Sequence, residues 1–320
     1  AITGDASLQG GNADDILRAG SGNDTFVLAS GGGNDTVYGG SGDNEAIFSS
    51  SPDSLSVDLT AVTQDGQDVD SDGSGDDFIT ASLGDRSIFI LAEGSPDPVS
   101  TIQNLTATDQ ADVITGDAQA NVIRGLGGGD DIAGGGGNDT LYGGGGGDRL
   151  SGGSGDDHFY AGGSASGSGA SESGVLPGDG DNRMAGGAGD DTYDVDELAD
   201  TQNYFVGGAG SGDRVEFDRS IDEYFINRVP VEFLNQEAAF FNPLLGESSD
   251  DSGLVFDAGQ PAFRVDYLFD DGSRQTDFVQ AETLSFDGDE FIWGTLSELE
   301  ASLSGFSAGD FDDQGAHGAK

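Results

Sequence analysis

One pattern in this chain repeats every nine residues, and that period admits few folds. Written in rows of nine, residues 1–27, 30–47, 107–160, 177–194 and 208–216 fall into fourteen rows. The eighth column reads Leu8, Leu17, Phe26, Val37, Ala46, Ile114, Ile123, Ile132, Leu141, Leu150, Phe159, Met184, Tyr193 and Val215, apolar throughout. The seventh column mixes Ser7, Ile16, Thr25, Glu45, Asp131, Arg149, His158 and Arg214. Adjacent positions that differ in this way belong to a strand with one face in a core. A short fixed period belongs to a stack of identical units.

The remaining columns describe a turn. The sixth holds Asp15, Asp24, Asp35, Asn44, Asp112, Asn121, Asp130, Asp139, Asp148, Asp157, Asn182, Asp191 and Asp213, with Ala6 in the first row. The fourth is Gly in ten of the fourteen rows, which allows positive φ there. One buried side chain per nine residues is too little to offset the entropy of ordering so glycine-rich a backbone. A ligand that binds only the folded form must supply the difference.

Composition narrows that ligand. Sixty acidic residues stand against 11 basic ones, a net charge of −49. Nucleic acid and anionic membrane surfaces are excluded as partners, because both need Lys and Arg. Cations are favoured. A merely solvated acidic surface would scatter its carboxylates, whereas these recur in phase. There is no Cys, and the two His are His158 and His317. Disulfides, thiolate metal sites and multi-histidine zinc sites are therefore excluded.

The rows Gly134-Gly135-Gly136-Gly137-Asn138-Asp139-Thr140-Leu141-Tyr142 and Gly152-Gly153-Ser154-Gly155-Asp156-Asp157-His158-Phe159-Tyr160 fit one consensus, Gly-Gly-x-Gly-x-Asp-x-apolar-x. This pattern resembles the nonapeptide repeat of the RTX (repeats-in-toxin) family of haemolysin type. The resemblance implies a parallel β-roll: six residues turn, three form a strand, and two rows complete a coil. It implies several Ca²⁺ ions between stacked turns. They would be held by the sixth-column residues above and by turn carbonyls of Gly135, Gly137, Gly144, Gly146, Gly153 and Gly155. An all-oxygen donor set suits calcium better than magnesium, which retains its waters. Ala6 offers no side-chain ligand. Asn44, Asn121 and Asn182 offer a neutral oxygen. Gln110 and Gln119 replace fourth-column Gly, so the first turns of the second block are expected to hold calcium weakly or not at all.

The expected organisation is a β-roll block over 1–47, a β-rich segment over 48–106, and a second β-roll block over 107–215 with a loop at 161–176. A β-rich capping region over 216–294 and a short helix with a tail over 295–320 follow. In the intervening segment, Asp68-Val69-Asp70-Ser71-Asp72-Gly73 opens like an EF-hand loop. Ile79 stands at the twelfth position, where a bidentate Glu belongs, so a full EF-hand is disfavoured. A separate calcium loop built on Asp68, Asp70 and Asp72 and a plain acidic turn both remain open. In the last segment Thr295 and Glu298 form a capping box, Leu296, Leu299 and Leu303 share a face, and Gly305 ends the helix. The resemblance makes 295–320 a candidate signal for type I secretion; a helical cap with a tail is the other reading. No apolar run is long enough to span a membrane. The chain begins already inside the repeat, without a leader, and reads as a piece or processed form of a longer protein.

Catalytic signals are weak. Gly305-Phe306-Ser307-Ala308-Gly309 matches a nucleophile elbow but lacks the strand-to-helix setting such an elbow needs. The expected function is that of an extracellular calcium-binding module without catalytic residues, folding on calcium outside the cell. It would serve in a surface-layer, matrix or adhesin protein, with self-assembly or cell-surface attachment. The alternative is the non-catalytic export module of a secreted hydrolase.

Overall fold

A computed structural model describes residues 3–28, 33–49, 51–63, 78–84, 86–91, 102–162, 182–195, 202–209, 212–219, 223–229, 262–268, 274–281, 283–286 and 289–292. Among them the chain is all-β, without an α-helix. The first rows give β1 (Ser7–Gln9), β2 (Ile16–Arg18), β3 (Thr25–Val27), β4 (Thr36–Tyr38) and β5 (Glu45–Ile47). Next come β6 (Leu55–Thr63), β7 (Phe78–Leu83), β8 (Arg86–Leu91) and β9 (Asn104–Thr106). The later rows give β10 (Val113–Thr115), β11 (Val122–Gly127), β12 (Asp131–Gly136), β13 (Thr140–Gly145), β14 (Arg149–Ser154) and β15 (His158–Tyr160). They continue through β16 (Arg183–Ala188), β17 (Thr192–Val195), β18 (Gln202–Gly208) and β19 (Arg214–Phe217). The last strands are β20 (Tyr224–Val229), β21 (Ala262–Leu268), β22 (Arg274–Gln280), β23 (Thr283–Phe286) and β24 (Asp289–Ile292).

Successive rows alternate between two sheets. One runs β1-β3-β5-β9-β11-β13-β15-β17-β19-β23-β24, the other β2-β4-β8-β7-β6-β10-β12-β14-β16-β18-β22-β21-β20. Pairing within the repeats is parallel and in phase. Ile132, Leu150 and Met184 align in one sheet, Leu141, Phe159 and Tyr193 in the other, and all six are buried between them. The seventh column mostly faces out, with Ile16 52% and Val113 53% exposed, although Thr36 is buried. This is a parallel β-roll, and its thin core is the eighth column. Loop residues 163–181 lie outside the described set, but β14 pairs directly with β16 across them.

Glycine permits coils to stack this closely. Gly153 turns with φ +109°, and a Cβ there would overlap the Gly135 carbonyl oxygen one coil away. Leu126 takes the equivalent position in its own row and holds φ +78°, the only positive φ outside glycine among the described residues.

The segment between the repeat blocks does not sit as a separate sheet between two rolls. β6, β7 and β8 form an antiparallel meander spliced into one sheet: β8 runs parallel to β4, and β6 parallel to β10. In the opposite sheet β5 pairs with β9 and β9 with β11, so the roll is continuous. Leu55, Val57, Leu59, Ala81, Leu83, Ile88 and Ile90 join the common core. From 216 onward the roll continues before it closes. β22 is parallel to β18, and β23 parallel to β19. The final strands pair antiparallel at the ends of the two sheets, β21 with β22, β20 with β21, and β24 with β23. The expected helix at 295–305 lies outside the described residues.

Gly153→Ala should destabilise the calcium-loaded protein by more than about 1 kcal/mol, since an L side chain is strained at this φ and meets backbone it cannot displace. Ser151→Ala, at an exposed position on the same strand, should be nearly neutral. Denaturant melts of the two variants test this.

Candidate metal centre

Each row reaches its strand through a turn that ends at the sixth column. The strand begins at the seventh, so the sixth-column side chain lies under the turn rather than in the solvent. Asp130, Asp139, Asp148, Asp157 and Asp191 are each 2% exposed or less. Their placement follows from the backbone. The N–H of most sixth-column residues points along the roll, and the side-chain oxygen of the sixth-column residue in the next coil, usually a carboxylate, accepts it. On one edge Asp139 N–H donates to Asp157 Oδ1 (2.8 Å), Asp157 N–H to Asp191 Oδ1 (2.9 Å) and Asp191 N–H to Asp213 Oδ1 (3.0 Å). On the other edge Asp112 N–H donates to Asp130 Oδ1 and Asp130 N–H to Asp148 Oδ1, both at 2.9 Å. The first block repeats this: Ala6 N–H to Asp24 Oδ1, Asp15 N–H to Asp35 Oδ1 and Asp24 N–H to Asn44 Oδ1.

The second carboxylate oxygen is different. Oδ2 of Asp24, Asp130, Asp139, Asp157 and Asp191 is buried without any hydrogen-bond partner. A buried anionic oxygen left unpaired is strongly unfavourable. Around each in the second block the first-column glycine leaves room. A Cβ on Gly125 would overlap both Asp130 Oδ2 and the Gly143 carbonyl oxygen of the next coil. A Cβ on Gly186 would likewise overlap Asp191 Oδ2 and the Gly207 carbonyl oxygen. Carboxylate and carbonyl oxygens thus converge in a glycine-lined cradle. The first-column carbonyls were not anticipated from sequence. The expected carbonyl donors behave differently: a Cβ on Gly153 meets the Gly135 oxygen, and one on Gly155 the Gly137 oxygen, so these point at the next coil's backbone. Gly144 and Gly146 abut Leu126 and Gly128 in the same way.

At other sixth-column positions the side chain makes further hydrogen bonds. Asp15 Oδ2 accepts Gly11 N–H from its own turn. Asp112 accepts Thr108 N–H (2.8 Å) and the Thr108 hydroxyl. Asn121 Oδ1 accepts Asp117 N–H (3.0 Å). Near the far end, Asn182 Nδ2 donates to Asn203 Oδ1 (3.0 Å) and Asn203 Nδ2 to Asp277 Oδ1 (2.9 Å). Strand pairing places Gln103, Asn203 and Asp277 in the sixth column, all three missed by the nine-residue phase because their rows depart from consensus. It places Leu55 and Ile88 there too, where no oxygen is available. A second ladder, also missed, runs outside the first in the opposite sense: Asn138 Oδ1 accepts Asp156 N–H (3.1 Å) and Asp156 Oδ1 accepts Asp190 N–H (3.0 Å). Its signal was the Asn or Asp in the fifth column of most rows.

Asp68, Asp70, Asp72, the Gly305–Gly309 motif and His317 lie outside the described residues. His158, expected on the surface, is half-buried and stacks on Tyr160 at 4.7 Å between ring centres, and burial lowers its pKa.

Burial also sets the protonation of the ladder. Desolvation pushes Asp130 from 3.8 up to about 8, Asp139 and Asp191 to about 7, and Asp157 to about 6, with neighbouring carboxylates adding to the rise and the accepted backbone N–H opposing it. The folded chain therefore binds protons more tightly than the unfolded chain between these values. Without calcium its stability increases as pH falls from 8 toward 4 and is lost as pH rises through 6 to 8. Circular dichroism in chelator should show more β-structure at pH 5 than at pH 8; the opposite order would contradict the assignment of buried, unpaired carboxylates.

No three acidic or imidazole side chains converge among the described residues. Each turn brings one carboxylate, and carbonyls supply the rest, which is the donor set of a hard, flexible cation such as Ca²⁺. Orphaned oxygens, a glycine cradle and the absence of N or S donors fit that ion. The family model described as RTX calcium-binding nonapeptide repeat (4 copies) matches residues 2–31, 9–46, 106–141, 142–165 and 178–202. No curated protein matches the chain. Among solved structures, the extracellular lipase LipA from Serratia marcescens aligns at 16% identity, over 86% of this chain and 36% of that one, with a TM-score of 0.19. The chain thus spans about a third of the lipase's length. The matched segments carry RTX calcium-binding nonapeptide repeats, and repeats of that kind bind Ca²⁺.

Proposed function

We propose that the chain is an exported module that folds on meeting calcium outside the cell, and that it serves structurally in a surface-layer, matrix or adhesin protein. The observation that carries this reading is the series of buried, unpaired Oδ2 atoms at Asp24, Asp130, Asp139, Asp157 and Asp191. At neutral pH these carboxylates oppose folding until a cation joins them to the carbonyls of the next coil. In a calcium-poor cytosol the chain stays extended, which suits passage through a type I secretion channel. Outside, each ion bound only by the folded form adds stability: about 2.7 kcal/mol at a hundred times its dissociation constant.

The five aspartates with orphaned oxygens are the principal ligands in this reading. Asp35, Asp148 and Asp213 extend the same ladders. Asp15, Asp112, Asn121 and Asn182, whose turns close by hydrogen bonds, contribute less, and Asn44 offers only an amide oxygen. The division into 1–47, 48–106, 107–215, 216–294 and 295–320 is kept as a description of sequence units along one continuous roll. Assembly into layers rests on the acidic edges, which repel one another until calcium neutralises them.

Chelator-treated protein should lose most of its β-structure by circular dichroism at pH 7.5 and regain it cooperatively on calcium addition. Asp139→Ala with Asp157→Ala should raise the calcium midpoint at least severalfold, whereas Asp15→Ala should move it little. Equal shifts for both variants would refute the ligand assignment. Light scattering and electron microscopy of the calcium-loaded chain test the structural role: ordered assemblies are expected, and a strictly monomeric product would count against it.

A further inference from the structure

The junction between the repeat blocks is built differently from the rows on either side. Its turns are closed by side chains. Asp112 accepts Thr108 N–H and hydroxyl and also Leu55 N–H (2.6 Å). Gln110 N–H caps the Thr108 hydroxyl (3.1 Å). Asp117 accepts Gln119 N–H (2.8 Å) and Gln119 Nε2 (3.2 Å), while its own N–H goes to Asn121 Oδ1. Asn121 Nδ2 donates to the Gln103 carbonyl (2.9 Å), and Asn44 N–H to Gln103 Oε1 (3.0 Å). Gln110 and Gln119, which look like defects in the consensus, stand in turns that need no ion.

The core is also thicker here than in the rows that follow. Rows 125–160 bury Ile132, Leu141, Leu150 and Phe159, one eighth-column side chain per row. At the junction Phe48, Leu55, Val57, Leu83, Ile88 and Ile102 add to Leu105, Ile114 and Ile123, because the β6–β8 meander brings strands with longer apolar faces. Satisfied turns and ordinary apolar burial are the two conditions for a sheet to hold without a ligand.

We propose that residues 102–124, with the β6–β8 meander, form a calcium-independent nucleus from which two calcium-dependent arms extend. This rests on the reading of calcium-coupled folding above. The nucleus fixes which strand pairs with which before any ion arrives. An in-phase repeat cannot do this alone, because its rows are nearly interchangeable.

Hydrogen–deuterium exchange of the full chain in chelator at pH 7.5 is the test. Peptides within 102–124 and 78–91 should stay protected while peptides within 131–160 exchange as unfolded chain; calcium should then protect all of them. Uniformly fast exchange in chelator would overturn the nucleus and leave calcium-coupled folding standing. Uniform protection in chelator would overturn both. Thr108→Val should lower protection of 102–124 in chelator about tenfold, yet leave the calcium-loaded circular dichroism spectrum unchanged. Gln119→Gly with Asn121→Asp, which restores the consensus, should make that protection calcium-dependent. Unaltered protection in both variants would overturn the proposal.

Discussion

A single hydrogen bond, from a sixth-column backbone N–H to the carboxylate of the following coil, organises this molecule. It recurs at 2.8 to 3.0 Å along both edges of the second block. It holds neighbouring coils in phase, which keeps the eighth column of each sheet aligned. It also draws a carboxylate out of water with only one oxygen satisfied. In the proposed reading the need for calcium is a by-product of the same contact that sets coil stacking: the oxygen left over becomes the ligand.

Positions that escape this need show what else satisfies the turn. A threonine hydroxyl does so at Asp112, a main-chain N–H at Asp15, and an amide ladder at Asn182 and Asn203. Leu55 and Ile88 remove the polar group altogether. On the outer face the stack is reinforced by aromatic contacts: Tyr142 lies on Tyr160 at 4.6 Å with Arg124 above Tyr142, and Arg183 lies over Tyr204, which stacks on Phe278. Such contacts between flat groups on neighbouring strands add modestly to each pairing.

The repeat rows were legible because strand alternation and turn chemistry coincide every nine residues, so Asp139 and Leu141 each announce a face. The pairing of β5 with β9 and β4 with β8 was not legible. Rows around Gln103, Asn203 and Asp277 keep the geometry but lose the glycines that mark it. Nothing local reveals that Ile88 occupies the place an aspartate holds elsewhere; only the register with Thr36 and Phe89 shows it. Asp277 illustrates the same limit. It reads as a strand residue in a capping region, yet it is buried, accepts from Asn203 and Gln275, and is pushed up to about 7 by desolvation.

The spliced meander leaves the two walls of the roll unequal. Between β4 and β10 one wall holds three strands, while between β3 and β9 the other holds β5 alone. At a spacing of about 4.8 Å per strand, the longer wall exceeds the shorter by about 10 Å over this stretch. Two walls of unequal length joined along a common interior cannot remain straight. The excess is taken up where β6–β8 enter, either as an outward bow of the longer wall or as a bend of the spine toward the shorter one.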